Sequence, residues 1–591
     1  MVELPQGRYL SCAFAVNPDA MGQTRALLMR NRFLAREGGV RPTVLAFGAA
    51  PDYDERRHVL LERGLLSEQV SLVSIYDHYR EHGWGDAEPA GELAELTTRR
   101  VGEEERPDGT PWRISYRLPE GRLVYDYLRA DGTPYLRIPR FGVAERASWR
   151  ATIHRLGPGG EPVGEFGSVG GWYRHFIREL AAGHERTFVF IDSRFLIPHV
   201  VPLRKRRIHV LYQMHNMHLE PPRRWDSDLH LVYRRVLARI DDVDAIVNLT
   251  ERQREDIAAR RGRTTNMFVV PNPVDVPEPP PQPPPRDPHR VMTMARLETQ
   301  KRLVHAIAAF GRVVEAVPEA RLDIYGEGSQ RAKLQTEIER SGLTGAVTLR
   351  GYDPKAREAL WRASAFLMTS EYEGYPLSTL EAMSQGCPVV SYDIRYGPRE
   401  QIRDGVDGFV VPEGDEAGLA EHVIELLRSP ELVQRISVAA REQVARYGPA
   451  EFCERWAQVI RAAVELAPER TRIEEVGFEV TRLRRRRGAL HLRGILRLTG
   501  RGKLDWARLR LDAVHQESGE VVALPLEVER VDDGFRVAAK IRLDDALPAE
   551  DVARLRLRLI WHNSAWEAEI AQPPGDVAVS LGPGRVVQLV R

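Results

Sequence analysis

The 591-residue sequence predicts an α/β fold class: two doubly wound, Rossmann-like halves facing a cleft, an antiparallel β insertion in the first half, and a C-terminal β-sandwich-like module. Three observations predict it. Two series of short apolar strands alternate with helical periodicity, the pattern that packs helices on both faces of a parallel sheet. The proline run Pro277-Glu-Pro-Pro-Pro-Gln-Pro-Pro-Pro, ending near Pro288, separates the two series and suits a stiff linker. Helical periodicity fades between about Thr97 and Gly170, and again beyond about Thr471. The expected boundaries are 1–275 for the first half with its insertion at 97–170, 289–450 for the second half, 451–470 for a crossover helix, and 471–591 for the β-rich module.

The apolar run Tyr9 to Val16 reads as a buried strand. Gly22-Gln-Thr-Arg25 then opens a helix through Leu27, Leu28 and Phe33 that Gly38-Gly39 stops, and Pro42 to Phe47 is the next strand. In the insertion, Asp108-Gly109 and Asp131-Gly132 separate strand-like runs such as Leu123 to Leu128 and Pro134 to Ile138, which are hairpin signals. The α/β pattern resumes at Thr187 to Asp192, Arg207 to Tyr212, Ala245 to Leu249 and Met267 to Val270. Past the proline run come strands at Val291 to Met294, Arg321 to Tyr325 and Phe366 to Thr369, then a long amphipathic helix from Ala450 to Ala467. Leu490 to Leu498, Ala507 to Val514 and Val552 to Trp561 alternate apolar with polar or arginine residues, as sandwich strands do.

Lys and Arg number 85 against 84 Asp and Glu, a formal net charge of +1, which argues against a dedicated nucleic-acid binder. The three cysteines, Cys12, Cys387 and Cys453, lie far apart with no CxxC, so neither a disulfide framework nor a zinc site is expected, and a reducing compartment fits. The N-terminal residues lack a signal-peptide pattern and no window approaches the ~18 apolar residues of a membrane span. A cytoplasmic protein is expected, with peripheral contact at the inner face of the membrane left open.

Glu373 and Glu381 stand eight residues apart, and between them a Gly/Pro turn opens an apolar helix. Backbone N–H groups at such a helix start suit a diphosphate, and the two carboxylates suit hydroxyls. Arg296 and Lys301 flank a strand-to-helix turn. The helix dipole disfavours cations there, so they need another reason, and stabilising a departing diphosphate supplies one. Tyr325-Gly-Glu-Gly328 is a glycine turn from strand to helix, weak by itself. His215-Asn-Met-His218 follows a strand whose end points at the cleft. His215, and less so His218, could meet a donor sugar or orient an acceptor hydroxyl. The alternatives are a packed histidine or a metal pair, and the latter lacks a third ligand nearby. Arg484-Arg-Arg-Arg487 opens a basic β face suited to a polyanionic chain or anionic lipid headgroups, or else is a solvated charge run.

In order and spacing, Arg296…Lys301, Tyr325-Gly-Glu-Gly and Glu373…Glu381 resemble the donor domain of retaining GT-B glycosyltransferases of the glycosyltransferase 4 type, and Ser391 to Gly408 completes the match. In wording they are most similar to the poly(glycerol-phosphate) α-glucosyltransferases that decorate wall teichoic acid, and to related enzymes that add GlcNAc to teichoic acid or to serine-rich adhesins. Asp126-Tyr-Leu-Arg-Ala-Asp-Gly132 resembles their extra β-sheet domain. The resemblance covers roughly residues 8–467 and leaves the C-terminal module without a family.

The resemblance implies that 1–275 is the acceptor domain and 289–450 the nucleotide-sugar domain. It implies that Glu381 binds the ribose, Glu373 holds hydroxyls of the donor sugar, and backbone groups around Tyr375, Pro376, Leu377 and Ser378 meet the phosphates. Arg296 and Lys301 would neutralise the diphosphate, with His215 as a further catalytic candidate. Gly22 and Gly326 would let backbone approach the donor. It implies a UDP-sugar donor, UDP-glucose or UDP-GlcNAc, no other cofactor, and no metal, since no DxD-like motif stands out. It favours same-face attack with the leaving phosphate helping to take the acceptor proton; a covalent route needs a carboxylate that the sequence does not assign. The implied acceptor is a polyol-phosphate polymer, with a serine-rich protein or a glycan as the alternative. A non-catalytic carbohydrate-binding partner subunit ranks below these, because the four donor residues are all present. A homotrimer through the β insertion is implied too, unless the C-terminal module blocks it.

Overall fold

A computed structural model describes residues 2–19, 22–84, 99–119, 121–139, 152–203, 207–237, 243–261, 266–282, 284–466, 472–486, 489–501, 508–515, 521–532, 534–542, 552–561, 564–570 and 588–590. They form two compact units, Met1–His215 with Val270–Arg461, and Asn216–Val269 with Ala462–Arg591.

In the first unit, the chain after the proline run builds a six-stranded parallel sheet from Asp287–Met294, Arg321–Tyr325, Val347–Gly351, Ala363–Met368, Val389–Asp393 and Gly408–Pro412. Counted from Asp287–Met294, the spatial order is third, second, first, fourth, fifth, sixth. That is a doubly wound sheet whose order reverses between the first and fourth strands, where a crevice opens at the strand ends. Ala363–Met368 is buried at every position, as a strand covered on both faces must be. The first strand begins earlier than Val291, the start read from the sequence. It takes in Pro288, and its pairing with Ala363–Met368 slips between Asp287 and Val291. Proline cannot donate to a ladder, and such an irregularity is where a sheet tolerates it.

The first half of the unit has the same logic. Five parallel strands lie in the order Ile208–Gln213, Thr187–Ile191, Arg8–Ala13, Thr43–Ala46, Ser71–Ser74. The strand expected over Tyr9 to Val16 ends at Ala13. Val16 stays fully buried, but in the loop that leads toward the next helix, where its carbonyl accepts from Arg56. The helix Gln23–Gly38 buries Leu27, Leu28 and Phe33 and stops as expected. Gly39 adopts φ 67° and returns its N–H to the Ala35 carbonyl.

The insertion is a six-stranded antiparallel meander in chain order, Arg99–Glu105, Pro111–Arg117, Leu123–Leu128, Pro134–Pro139, Ile153–Leu156 and Pro162–Phe166. Its two Asp-Gly signals make equivalent turns. Gly109 and Gly132 have φ 81° and 85°, and Asp108 and Asp131 each accept from the backbone N–H two residues on. Trp112 and Tyr127 of its inner face pack with Tyr76 and Trp172 from the helices Ile75–His82 and Val169–Ala181. The helix Pro449–Leu466 follows the second sheet, and its Trp456 is fully buried.

The second unit holds the C-terminal β-sandwich. One antiparallel sheet runs Arg472–Arg486, Ala489–Arg501, Gly534–Arg542, Glu527–Val531; the other runs Val521–Leu524, Arg508–His515, Val552–Trp561, Ser564–Glu569, with Gln588–Val590 also on Val552–Trp561. Their inner faces meet in one core, Leu490, Leu492, Leu496 and Val537 from the first and Leu511, Leu555, Leu557 and Leu559 from the second. The same unit contains the parallel pair Ala245–Asn248 and Met267–Val269. Among the described residues no helix is long and apolar enough to cross a membrane.

Candidate active site

The candidate residues of the second sheet gather where its order reverses. Past Met294, the N–H groups of Ala295 and Leu297 donate to the carbonyls of Tyr325 and Glu327, zipping the loops after the first and second strands together. This close approach needs Gly326. At φ 139°, a Cβ there would lie 1.9 Å from the Ala295 carbonyl oxygen. The chain then makes the short turn Thr299–Lys301, passes Arg302 in the left-handed region, and enters the helix Leu303–Ala316.

The loop after the fourth strand is laced to this turn. Thr369 donates to the Lys301 carbonyl, the Glu371 N–H to the Gln300 carbonyl, and the Gln300 side chain to the Tyr372 carbonyl. Glu373 is fixed by its own backbone on the other side, through Arg395 and Tyr396. Its Oε1 receives the Lys301 ammonium and the Ser370 hydroxyl, the latter at 2.8 Å. Arg296 is exposed, with no ion pair or side-chain hydrogen bond among the described residues. Two cations thus flank the turn, one engaged and one open to solvent.

The helix Leu377–Ser384 begins at Pro376, with no side-chain cap and no acidic residue in its first turn. Its first amides, at the half-buried Leu377 and Ser378, therefore have no intrahelical partner and face ligands or water. The Tyr375 ring is buried, 6.1 Å from the Tyr447 ring, so its side chain holds the turn and only its backbone is available. Glu381 follows one turn into the helix, 9% exposed. Its Oε1 meets Arg357 at 2.9 Å and Arg25 at 3.3 Å. Burial pushes its carboxyl up from the ordinary range, and Arg25 opposes that shift. A cavity of about 260 Å³ opens here, lined among others by Arg25, Met29, Arg357, Leu377 and Glu381. Among the described residues no hydrogen bond reaches Oε2 of Glu373 or of Glu381.

Gly22 precedes the helix that carries Arg25. Its φ of 65° and ψ of −111° favour glycine, although a Cβ would meet nothing within 4 Å. In the first sheet, Asp192 follows the strand Thr187–Ile191 and His215 follows Ile208–Gln213. His215 Nε2 lies 2.7 Å from Asp192 Oδ1, and its Nδ1 is buried with no partner. Arg30 clamps the same aspartate with both terminal nitrogens, at 2.8 and 2.6 Å, and also donates to Gln213 and Ser11. Phe190 and Trp456 cover the guanidinium at 4.9 and 5.3 Å. Burial alone would raise the Asp192 carboxyl; Arg30, with the His215 hydrogen bond, outweighs it and holds the pKa at about 2. His218 is fully buried in the second unit, where its carbonyl accepts from the His230 N–H.

The structure thus joins Lys301 to Glu373 and sets Glu381 beside the uncapped helix start, while Arg296 stands apart in solvent. The sequence reading missed Arg25, Arg357, Ser370 and the Arg30–Asp192 pair behind His215. Arg25 carried a usable signal: it is a cation in the first turn of a helix, where the dipole disfavours it, the argument already applied to Arg296 and Lys301.

Residues 277–443 match the family model described as Glycosyl transferases group 1. A poly(glycerol-phosphate) alpha-glucosyltransferase of Bacillus subtilis is 30% identical over 308 residues, 51% of this chain and 45% of that protein. A poly(ribitol-phosphate) alpha-N-acetylglucosaminyltransferase of Staphylococcus aureus is 29% identical over 222 residues, 37% of this chain and 44% of that one. The chain therefore spans less than half the length of these relatives. A crystal structure of a mutant of S. aureus TarM, in complex with fondaparinux, alpha-GlcNAc-glycerol and UDP, superposes with a TM-score of 0.61 at 18% identity, covering 77% of this chain and 100% of that one. At that identity the likeness speaks for the fold, which is GT-B, and the match over 277–443 bears out the resemblance to group 1 glycosyltransferases that the motifs carry.

Proposed function

We propose that this chain is a retaining hexosyltransferase of the glycosyltransferase 4 type, moving glucose or GlcNAc from a UDP-sugar to a polyol-phosphate polymer such as poly(glycerol phosphate). One observation supports this above the others: at the reversal point of a doubly wound sheet, two glutamates each keep one carboxylate oxygen out of every hydrogen bond beside an uncapped helix start. Carboxylates with a spare oxygen suit sugar and ribose hydroxyls, and uncapped amides suit phosphates.

In this reading Glu381 holds the ribose hydroxyls and Glu373 those of the donor sugar, while the backbone from Tyr375 to Ser378 meets the diphosphate. Lys301 and Arg296 neutralise the charge that develops as the diphosphate leaves. Gly326 holds the loops close enough for backbone to reach the donor, and Gly22 does so for the opposite half. His215 stands on the acceptor side, its ring held by Asp192 through Nε2. Glu373 is committed to Lys301 and Ser370, which supports a binding role and, with it, attack from the leaving-group face rather than a covalent intermediate. No divalent ion is required. A homotrimer through the β insertion and a peripheral place at the inner membrane face remain part of the proposal. The outer strand Arg99–Glu105 bears Arg99, Arg100, Glu103, Glu104 and Glu105, so pairing along it has to match charges as well as hydrogen bonds.

The test is UDP release with a panel of UDP-sugars, each with and without poly(glycerol phosphate), in the absence of added metal. Release that depends on the polymer with one sugar is the expected result. Donor hydrolysis without polymer dependence would move the acceptor to a protein or a glycan. A chain that binds no UDP-sugar would overturn the reading.

A further inference from the structure

The C-terminal sandwich carries a charge arrangement that the transferase reading does not use. On the strand Ala489–Arg501, Leu490, Leu492, Leu496 and Leu498 point into the core, so His491 and Arg493 point out. The pairing register builds three consecutive rows on that outer face. Arg486 lies opposite Ala489 and Ala489 opposite Arg542; Arg484 opposite His491 and His491 opposite Lys540; Arg482 opposite Arg493 and Arg493 opposite Ala538. The six arginine and lysine residues are exposed, and among the described residues these rows hold one acid, Glu527, opposite Ala538 on the edge strand Glu527–Val531. Ion pairs with acids are found at the other end of the sheet, where Glu479 pairs with Arg497 and Glu529 with Arg536. Like charges directly opposite one another, such as Arg482 and Arg493, destabilise a sheet, so local folding does not account for them.

We propose that this outer face is a docking surface for a flexible phosphodiester polyanion, the same polymer that is the acceptor in the proposed reaction, on which reading this inference rests. The rows repeat roughly every 7 Å along a strand and the strands roughly every 5 Å across. A chain with one phosphate per short polyol unit repeats its charge on that scale. The described residues of the face include no Trp, Tyr or Phe, so it offers neither a stacking platform for nucleic-acid bases nor an aromatic anchor for a membrane interface. A second attachment point on the same chain makes each further encounter with the polymer intramolecular.

The experiment uses the full chain and a variant carrying Arg482→Gln, Arg493→Gln and Lys540→Gln, with Arg497→Gln/Arg536→Gln as the control from the acid-paired end. Binding to long poly(glycerol phosphate) is measured against salt concentration, beside turnover on a single-unit acceptor. The triple variant is expected to bind the polymer about 10- to 100-fold more weakly. Its slope of log affinity against log salt should fall by about 2, as for three lost phosphate contacts. Single-unit turnover and melting temperature should hold, and the control should behave like the native chain. Equal polymer binding by native and triple variant would overturn the proposal, as would a native chain that does not bind the polymer. Loss of binding to phosphatidylglycerol-rich vesicles with polymer binding intact would also overturn it, assigning the face to a membrane. Polymer that is bound but never glycosylated would sink the acceptor reading and leave the docking surface standing.

Discussion

In the first α/β half Arg30 meets Asp192 with side chains 1% and 0% exposed; in the second, Lys301 meets Glu373 at 17% and 12%, and one oxygen of Glu381 is shared by Arg357 and by Arg25 from the first half. The first cluster pairs its charges internally: the guanidinium spends its terminal nitrogens on Asp192, Gln213 and Ser11 and its faces on two aromatic rings, leaving only Nε without a partner among the described residues. The second leaves an oxygen on each glutamate, and a whole guanidinium at Arg296, for something else. Burial makes the difference. A charge removed from water must be fully paired by the protein, whereas a charge at a cavity mouth keeps water as its partner until a ligand replaces it. The buried pair holds the fold and sets His215; the open pairs are poised to bind.

The largest expected effect falls on the buried cluster. Arg30→Met leaves Asp192 without its cation and should lower unfolding stability by about 3–5 kcal/mol, read from urea midpoints. A loss below about 1 kcal/mol would mean that the cluster is not the anchor described. Lys301→Ala should do the reverse: turnover falls by about 10²–10³-fold once the donor sugar is known, with the melting temperature nearly unchanged, because a partly exposed pair contributes little to folding. Near-native turnover would remove Lys301 from the reaction.

Acid separates the clusters by sign. The Asp192 carboxyl, at about 2 against an ordinary 3.8, contributes stability that is fully present above about pH 4 and is lost as the pH falls through 2. The contribution is on the order of 2 kcal/mol, and the urea midpoints of native chain and Asp192→Asn should converge across that window. Glu381 is shifted the other way, since burial favours its acid form. Its charge therefore weakens the unliganded fold at pH values above its folded pKa, and this cost is relieved as the pH falls through that value. The smallest stability effect follows: Glu381→Gln should leave the melting temperature unchanged or slightly raised at pH 7, while UDP binding, followed by calorimetry, weakens about tenfold. A strongly destabilised Glu381→Gln chain would place Glu381 with the buried cluster instead.

Of the second cluster, Lys301, Glu373 and Glu381 were readable in the sequence; of the first, only His215 was. Lys301, Glu373, Glu381 and the helix start at Leu377 sit in two short segments whose strand–turn–helix grammar is local, so residue type and spacing suffice to find them. Asp192 and His215 are 23 residues apart, and Arg30 and Asp192 are 162. Nothing in either neighbourhood says that the strands Thr187–Ile191 and Ile208–Gln213 lie side by side next to Arg8–Ala13. Pro288 misled for a related reason. A proline argues against a central strand, and only the slipped register shows how this one is accommodated.

What the sequence by itself determined is therefore whatever periodicity and turn chemistry encode over a few residues. That includes two α/β series, an antiparallel insertion with matched Asp-Gly turns, an alternating module with arginines outward, and a pair of glutamates around a helix start. The tertiary structure decided which distant charges meet. Strand order put Asp192 behind His215, set Arg25 and Arg357 on Glu381, and aligned Arg482 with Arg493. Those contacts depend on topology and register, and a charged side chain carries no local mark of the partner that the packing of the whole chain will give it.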